Sequence, residues 1–384
     1  MGGAHRWQRL ISELPDDIEC RVLCPPPAFP YGEFESTYQP IKRETIDGVP
    51  VTRLWTVQPN EDSRAHQSNL GRILNYVVFS VFASLYVLVN FWRYDCIVTV
   101  SSPHTTFLPG AIGKLLGCSW VVDIFDLWLD NAADLGYAEE GSLAYRYIWT
   151  LEWLAITKSD GITVITETMA QAYVEKFDVP RNKFTLVPFG VDGSLFTPSS
   201  EKTNSNRVLY VGNMGDAHAL RPFIAAFQQL PSTYSLELVG DGKRRTELEE
   251  FADELGISDR IQFSGFVART EVAHRLQESA LSIVPLQQDF KLDYARPNKL
   301  LESMAVGTPY VASDIREIRR VTEESGGGLV VSNDSDAVAN AIRELLEAPD
   351  RRERMGQNAV SYIESQHRWS TLGNRVSDAI KAAC

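Results

Sequence analysis

Three glycine-containing turns follow three successive apolar strands in the second half of the chain. They are YVGNMGDA (210–217), LVGDGKRR (238–245) and FSGFV (263–267). Each strand ends at a glycine, where the lack of a side chain lets the backbone come close to a ligand. A single glycine at the end of a strand is typical of a tight turn that binds no ligand. Three glycine turns at the corresponding ends of strands in one sheet predict a nucleotide-binding edge. The candidate nucleotide-binding residues in the first two turns are Gly212, Asn213, Gly215, Gly240 and Gly242.

The stretch YARPNKLLESMAVGTPYVAS (294–313) predicts a helix that begins beside a ligand. Proline favours the first helical turn, and a lysine in that turn, Lys299, lies at the end of a helix that attracts phosphate. Glu302 follows three residues later on about the same face, where a carboxylate can accept hydrogen bonds from two vicinal ribose hydroxyls. The alternative is a surface ion pair between Lys299 and Glu302, which contributes little. Coming after the glycine turns, the pattern favours a binding site, with Asn298 and Arg296 beside it.

Candidate polar residues in the first half lie after apolar strands. Asp126 and Asp130 belong to DLWLD (126–130), and His104 follows Ser-Ser-Pro. We predict that Asp126, His104 and Asp130 line a ligand site at these strand ends. The alternative for Asp126 and His104 is a capping role at a strand or helix end. His5 could approach a bound phosphate.

Composition limits the classes of function. The chain carries 37 Lys and Arg against 50 Asp and Glu, a formal net charge of −13. That balance argues against nucleic-acid binding, which depends on basic phosphate contacts. The five cysteines are odd in number and lack CxxC spacing, which predicts reduced intracellular thiols and no zinc site. Asp123 and Asp126 do not form a convincing metal-binding pair, so we predict no metal and no cofactor.

A long apolar segment, ILNYVVFSVFASLYVLVNFW (73–92), has about the length of a membrane span. It contains four Asn and Ser residues and ends at an arginine. We favour a helix buried on a sheet. A helix lying in the membrane interface is the second interpretation, because aromatic residues and arginines flank it. A true span is the third.

The chain of 384 residues is long enough for two domains. Apolar strands alternate with amphipathic helices, which favours an α/β class with doubly wound parallel sheets. A Ser/Thr/Asn/Pro-rich linker, 197–206, separates an N-terminal domain (1–196) from a C-terminal domain (207–365). Because such sheets bind ligands outside the carboxyl ends of their strands, a cleft between the domains is expected. The predicted strands are 18–24, 49–57, 95–101, 119–125, 161–166, 183–189, 207–212, 235–240, 260–265, 281–286, 309–313 and 328–331.

These motifs resemble a known family. The stretch 237–286, from ELVGDGKRR to LSIVPL, is similar to the donor domain of glycosyltransferase family 4, retaining enzymes with the two-Rossmann GT-B fold. PNKLLESMAVGTPYVAS resembles that family's donor-binding helix, and LVPFGVD (186–192) resembles the stretch that closes its first domain. VTVSSPH (98–104) and DLWLD resemble the fucosamine-transferase-like branch of surface-polysaccharide assembly. HRWS (367–370) resembles the start of the family's last helix, which implies that 366–384 crosses back to the first domain.

The resemblance implies roles for individual residues. Glu302 matches the second glutamate of the family's E-x7-E motif, which holds the donor ribose. Asn298 and Lys299 match positions near the donor phosphates, and the backbone of Phe266 and Val267 matches the nucleobase contact.

Asp126 occupies the strand end where many relatives keep a His near the sugar, and it could orient the acceptor or stabilise positive charge on the sugar ring. We therefore expect Asp126, Lys299 and Glu302 to be the catalytic residues, with His104 and Asp130 on the acceptor side.

Two departures from the family pattern concern the donor site. Tyr294 stands where the first glutamate of E-x7-E would be, and Asn213 and His218 stand near the family's phosphate-binding Arg and Lys. We expect Arg296 or Lys299 to supply the missing cation.

The predicted function is a retaining, metal-independent glycosyltransferase. The resemblance implies that the acceptor hydroxyl attacks from the leaving-group face and that a donor phosphate oxygen receives its proton. We expect a nucleotide-sugar donor, UDP-linked in preference to GDP-linked, and a lipid-linked or polysaccharide acceptor. We expect the protein in the cytoplasm, peripheral to the cytoplasmic face of the membrane. The alternatives are a nucleotide-sugar epimerase or hydrolase of the same fold, and a catalytically silent nucleotide-binding scaffold.

The N-terminal Gly2 and Gly3 resemble the family's glycine loop, which faces the donor diphosphate from the first domain. Relatives carry a strand before this loop, so the first strand of domain one is expected to be missing here. We favour a start codon placed too late, because a sheet without its central strand would expose two edges.

Overall fold

A computed structural model describes residues 3–26, 39–57, 69–101, 103–127, 129, 141–198, 205–288 and 293–384. These residues form two compact units. The N-terminal unit contains the described residues up to Ile165, Met169–Val187 and Gly373–Cys384, and the C-terminal unit contains Thr166–Thr168 and Pro188–Leu372. The chain thus passes between units at Val187–Pro188, ahead of the predicted linker 197–206, of which 199–204 lie outside the described residues.

The N-terminal unit has two sheets, and the first is a three-stranded sheet of order β1-β3-β2. Its β2 and β3 form an antiparallel hairpin whose turn places Asp47 and Gly48 at positive φ (51° and 81°), as in a two-residue hairpin turn. The sequence patterns did not predict β2, because the Pro-rich stretch 25–40 directly precedes it; 27–38 lie outside the described residues. The elements are α1 (Gly3–Ser12), β1 (Val22–Cys24), β2 (Ile41–Ile46) and β3 (Val49–Leu54).

The second sheet of this unit has four parallel strands in the order β4-β5-β6-β7, each where a strand was predicted. The central strand, β5, is almost wholly buried, which suits the continuous apolar run of a parallel strand covered on both faces. The strands and their helices are α2 (Asn69–Leu88), β4 (Cys96–Val100), α3 (Phe107–Leu115), β5 (Ser119–Ile124), α4 (Leu143–Lys158), β6 (Gly161–Val164), α5 (Glu167–Phe177) and β7 (Phe184–Leu186).

Helix α1 is fixed to β5 by a buried ion pair. Arg6 Nη1 lies 2.7 Å from Asp123 Oδ2, and both side chains are fully buried. Trp7 Nε1 donates to the same oxygen (2.8 Å), and Thr163 Oγ1 donates to Asp123 Oδ1 (2.6 Å). A buried carboxylate is tolerated because these three donors replace its water. Asp123 therefore anchors a helix to the sheet.

Helix α2 combines a buried face and an exposed face. Phe79, Ala83 and Val87 are buried in the unit, whereas Leu85 is 52% exposed and Val81 is 49% exposed. The first interpretation of 73–92, a buried helix, is therefore right for one face only. Among the described helices, none has both the length and the apolar composition needed to cross a lipid bilayer.

The C-terminal unit contains a six-stranded parallel sheet of order β10-β9-β8-β11-β12-β13. The six strands lie where six were predicted, and their order is that of a doubly wound sheet, which reverses direction between β8 and β11. The strands are β8 (Arg207–Val211), β9 (Ser235–Val239), β10 (Ile261–Gly265), β11 (Leu281–Val284), β12 (Tyr310–Ser313) and β13 (Gly328–Val331). The helices are α6 (Leu220–Ala225), α7 (Arg245–Glu254), α8 (Arg269–Glu278), α9 (Asn298–Val306), α10 (Arg316–Ser325), α11 (Ser335–Leu346) and α12 (Pro349–Gln366). The last helix, α13 (Trp369–Ala383), begins in this unit and belongs to the N-terminal unit from Gly373 onward.

Candidate active site in the C-terminal unit

The carboxyl ends of β8, β9 and β10 meet in a close backbone arrangement. Gly212, Gly240 and Gly265 have positive φ angles of 146°, 127° and 68°. The N–H of Gly212 donates to Val239 O (2.9 Å), and the N–H of Gly240 donates to Gly265 O (2.8 Å). A Cβ on Gly240 would collide with the carbonyl group of Gly212. The approach of these turns therefore requires glycine, which explains the repeated motif in the sequence.

A cavity of about 610 Å³ opens at this edge of the sheet. Its volume falls in the range typical of small-ligand sites. Six of the residues predicted to bind the donor line it together, which brings the three glycine turns into one site. They are Gly212, Asn213, Gly240, Gly242, Phe266 and Val267.

Helix α9 brings Lys299 to the glycine edge. Its Nζ donates to Tyr210 Oη (3.0 Å) and lies 4.1 Å from the centroid of the Tyr210 ring. A Cβ on Gly212 would lie only 2.6 Å from that Nζ. Burial lowers the pKa of Lys299 to about 7, although Glu302 opposes the change. The amine is therefore only partly protonated at neutral pH, and an anion bound beside Gly212 would favour its charged form.

Tyr210 and His218 complete the surroundings of this amine. Tyr210 Oη donates to Asn213 O (2.6 Å), and the His218 ring packs edge-on at 6.1 Å from the tyrosine ring. Burial lowers the pKa of His218 to about 3, and the charge of Lys299 adds to this effect. His218 is therefore neutral, and Lys299 is the group beside these rings that can carry a positive charge. The sequence patterns did not identify Tyr210, because a tyrosine within an apolar strand is typical of a core residue.

Glu302 lies one turn further along α9 and is 16% exposed. Arg269 Nη2 donates to its Oε1 at 2.7 Å. Burial raises the pKa of Glu302, and the positive charge of Arg269 opposes that shift. The alternative prediction was an ion pair between Lys299 and Glu302. In the structure, Glu302 pairs with Arg269 instead, a residue that the sequence spacing could not identify.

The remaining donor-side candidates differ in their placement. Asn298, the first residue of α9, lines a small second cavity together with Glu302 and Arg269. Gly215 lies beside Asn213, and a Cβ there would be 3.3 Å from Asn213 Nδ2.

Arg296 is buried in an ion pair. Its Nε donates to Glu317 Oε1 (3.1 Å), and its Nη1 lies 3.2 Å from His367 Nε2. Two cations were predicted for the phosphate site. Lys299 lies beside Gly212, whereas Arg296 is paired with Glu317.

In the N-terminal unit, His104 is nearly fully buried at the start of a short 3₁₀ helix after β4. Its Nε2 lies 3.3 Å from Oε1 of the buried Glu152, which also accepts hydrogen bonds from Tyr173 Oη (3.0 Å) and Lys176 Nζ (2.9 Å). These contacts favour the ionised form and lower the pKa of Glu152, although burial, the largest single influence, opposes them. The sequence did not indicate Glu152, because it lies 48 residues from His104.

The other predicted residues of this unit lie at its edges. Asp126 is half-buried two residues after the end of β5. Gly3 is the first residue of α1, and His5 lies in that helix. Gly2 and Asp130 lie outside the described residues.

Within the described ranges, no three His, Cys, Asp or Glu side chains converge on a point where they could hold a metal ion. Asp334 accepts hydrogen bonds from the N–H groups of Asp336 and Ala337 at 3.0 Å each, and so caps α11.

Both halves of the chain match known sequence families. Residues 1–190 match the model of a glycosyl transferase 4-like domain, and residues 194–361 match that of glycosyl transferases group 1. The chain is 26% identical to the α-D-kanosaminyltransferase of Streptomyces kanamyceticus over 44% of each chain. It is also 26% identical to a GDP-mannose-dependent α-(1-6)-phosphatidylinositol monomannoside mannosyltransferase of Mycobacterium tuberculosis, over 58% of this chain and 62% of that protein. The match thus covers less than two thirds of the length of either relative.

Solved structures share the fold. Anabaena HepE in complex with UDP superposes with a TM-score of 0.66 at 17% identity, over 87% of this chain and 86% of HepE. Sucrose-phosphate synthase from Thermosynechococcus elongatus superposes with a TM-score of 0.65 at 20% identity, over 89% and 85% of the two chains. The prediction of two Rossmann-like domains of the GT-B type is confirmed at the level of the fold.

Proposed function

We propose that this chain, which belongs to the glycosyltransferases with a transferase 4-like domain followed by a group 1 domain, moves a sugar from a nucleotide donor to a lipid-linked glycan or polysaccharide. The observation that carries the proposal is the cavity of about 610 Å³ at the glycine edge, with the amine of Lys299 beside Gly212. A glycine-rich edge and a cation at a helix N-terminus suit the diphosphate of a nucleotide sugar. UDP is the preferred nucleotide and GDP the second: HepE was solved with UDP, and the mannosyltransferase relative is GDP-mannose-dependent.

The proposed chemistry relies on stabilising the leaving group. As the bond between sugar and diphosphate breaks, negative charge grows on the leaving oxygen. The N-terminus of α9 and the ammonium of Lys299 would stabilise that charge without a metal. Glu302 would hold the ribose, and the backbone of Phe266 and Val267 would contact the base.

On the acceptor side, retention of configuration implies attack from the leaving-group face, with a donor phosphate oxygen as proton acceptor. Asp126 would orient the acceptor hydroxyl, and the protein's part would be mainly positioning. We further propose that the enzyme belongs to the fucosamine-transferase-like branch, a proposal that the resemblance of VTVSSPH and DLWLD supports.

Replacing Glu302 by alanine tests the donor site. Hydrogen bonds to a charged group contribute about 1.5–3 kcal/mol, so we expect affinity for the nucleotide to fall about 10- to 100-fold and product formation to fall with it. The measurement is titration calorimetry with UDP and GDP, together with an assay of sugar transfer from the matching donors. Glu344→Ala, which removes a Glu–Arg pair between α11 and α12, is the control and should bind normally. Unchanged affinity in Glu302→Ala would show that the site is assigned to the wrong residues.

The same assay separates the alternative functions. A hydrolase would release free sugar from the donor without an acceptor, and an epimerase would convert the donor sugar. A silent scaffold would bind nucleotide and turn over neither acceptor nor water.

A membrane surface is the proposed location of the acceptor. Leu74, Val77, Val81, Leu85 and Leu88 form a stripe along the outer face of α2, each between 39% and 52% exposed. Their spacing of three and four residues places them on one side of the helix.

Helix α4 adds aromatic and basic residues to the same unit. Tyr147, Trp149 and Trp153 are 37–47% exposed, and Lys158 Nζ lies 5.4 Å from the Trp153 ring centroid. Exposed Arg146 lies on the same helix. Apolar stripes with flanking aromatic and basic side chains are typical of helices that bind anionic lipid surfaces.

Sedimentation with vesicles tests the membrane proposal. The wild-type protein should sediment with phosphatidylserine-containing vesicles, and the double variant Val81→Asp/Leu85→Asp should stay in the supernatant. Each lost apolar side chain contributes about 1.5–3 kcal/mol when buried, so partitioning should fall at least tenfold. Ile46→Asp, which changes a 39%-exposed apolar residue of β2, should bind as wild type. Equal sedimentation of wild type and double variant would contradict the proposal.

A further inference from the structure

We propose that Arg269 is a positioning residue for the donor ribose and that its guanidinium fixes the Glu302 carboxylate as the acceptor of the ribose hydroxyls. The inference rests on the proposed function, because it assumes that Glu302 contacts the ribose. It adds a residue that the motif of α9 does not contain.

The contact between Arg269 and Glu302 joins two separate helices. Arg269 is the first residue of α8, and its Nη2 lies 2.7 Å from Glu302 Oε1 across 33 positions of sequence. The guanidinium carbon also lies 5.4 Å from the centroid of the Phe196 ring. Contacts with both a carboxylate and a ring restrict the directions in which the guanidinium can point.

Glu302 requires a cationic partner from another helix because Lys299, the nearest cation on α9, makes its contact elsewhere. Lys299, three residues earlier on α9, directs its Nζ to Tyr210 Oη at 3.0 Å. The two cations therefore have different tasks: Lys299 lies at the glycine edge, and Arg269 lies at Glu302.

The charge of Arg269 matters because Glu302 is mostly buried. Burial raises the pKa of its carboxyl group, and Arg269 is the largest opposing influence. An ionised carboxylate offers about four lone-pair positions, so it can accept from Arg269 and from two hydroxyls together. A protonated carboxyl group loses part of this capacity and donates instead. Without Arg269, ribose binding should therefore depend on pH.

The test compares UDP affinity at pH 5.5 and pH 8.0 for wild type, Arg269→Gln and Arg269→Lys. Arg269→Gln keeps most of the stem over Phe196 but removes the charge. We expect its loss of affinity relative to wild type to be several-fold at pH 8.0 and larger at pH 5.5, because without the charge of Arg269 the raised pKa of Glu302 leaves more of its carboxyl group protonated at the lower pH. Taking the ratio to wild type at each pH removes the titration of Lys299 and of UDP. Arg269→Lys, which keeps the charge, should restore most of the binding at pH 5.5.

Two further variants distinguish positioning from a general structural role. In a Glu302→Gln background, Arg269→Gln should have little further effect on UDP affinity, because the carboxylate it serves is gone. Arg319→Gln removes another Arg–carboxylate pair of the same unit, with Asp314 (2.9 Å), and should leave UDP affinity unchanged at both pH values.

Each outcome decides between the hypotheses. A pH-independent loss in Arg269→Gln, or the same loss with and without Glu302, would overturn the role of Arg269. If Glu302→Gln alone binds UDP and GDP as wild type does, the proposed donor site itself is wrong, which is a separate result.

Discussion

Lys299→Met should lower kcat/KM for sugar transfer by about 10²- to 10³-fold, the usual effect of removing one group that stabilises a developing negative charge. Methionine keeps most of the length and apolar contact of the lysine stem, so the loss reports the amine. The measurement is steady-state transfer from the donor nucleotide sugar. We expect kcat to fall more than KM rises, because the charge on the leaving oxygen is greatest in the transition state.

The low pKa of Lys299, about 7, gives this prediction a second readout. A bound diphosphate favours the ammonium and raises that pKa, so binding takes up a proton. Affinity for UDP should be highest below pH 7 and should fall with rising pH above 7, by up to about tenfold per unit until the raised pKa is reached. The dependence should disappear in Lys299→Met.

Lys243→Met is the matched control for Lys299→Met. Lys243 belongs to the turn after β9, is 68% exposed and pairs with Asp216. Its loss should leave both kcat/KM and the pH dependence as in wild type. If Lys299→Met keeps normal turnover, or if UDP affinity is independent of pH above 7 in the wild type, the amine does not contact the diphosphate.

The glycine edge could be predicted from the sequence because local geometry determines it. Where the strands end at Gly212 and Gly240, the backbone has a positive φ that other residues rarely adopt. This requirement can be recognised from the few residues around each glycine. The six strands of the C-terminal unit follow for the same reason, since apolar runs between turn residues are a local signal.

Partners across long sequence distances could not be predicted. Arg6 and Asp123 are 117 residues apart, and His104 and Glu152 are 48 apart. Each is an ordinary charged or polar residue in its own segment, and only the packing of the unit shows that it is paired.

The pairing of cations at the candidate site illustrates the same limit. The spacing on α9 indicated a contact between Lys299 and Glu302. In the structure, Lys299 instead donates to Tyr210, and Arg269 donates to the Glu302 carboxylate. By its position in the sequence, Arg296 was as good a candidate for the phosphate site as Lys299. In the structure, it is buried beside Glu317 and donates to that carboxylate instead. The residue types near the site were therefore predictable, whereas the division of tasks among them was not.

Gly240→Ala should abolish detectable UDP binding, a loss of about 10²-fold or more, since small displacements of a positioning group have effects of that size. The added Cβ would collide with the carbonyl group of Gly212, which belongs to the backbone and cannot rotate away as a side chain can. The turn after β8 must then move, and with it Gly212 and Asn213, which line the cavity. The measurement is UDP titration of the purified variant, with circular dichroism to establish that it is folded.

Gly256→Ala separates this collision from backbone strain. Gly256 also has a positive φ (68°), but a Cβ there would meet nothing within 4 Å. Both variants place alanine in a left-handed or otherwise restricted conformation, which costs of order 1–3 kcal/mol of stability. Only Gly240→Ala adds a contact with the donor edge. Loss of UDP binding in both variants would mean that strain alone inactivates the unit, whereas normal binding by Gly240→Ala would show that the turn after β8 does not contact the nucleotide.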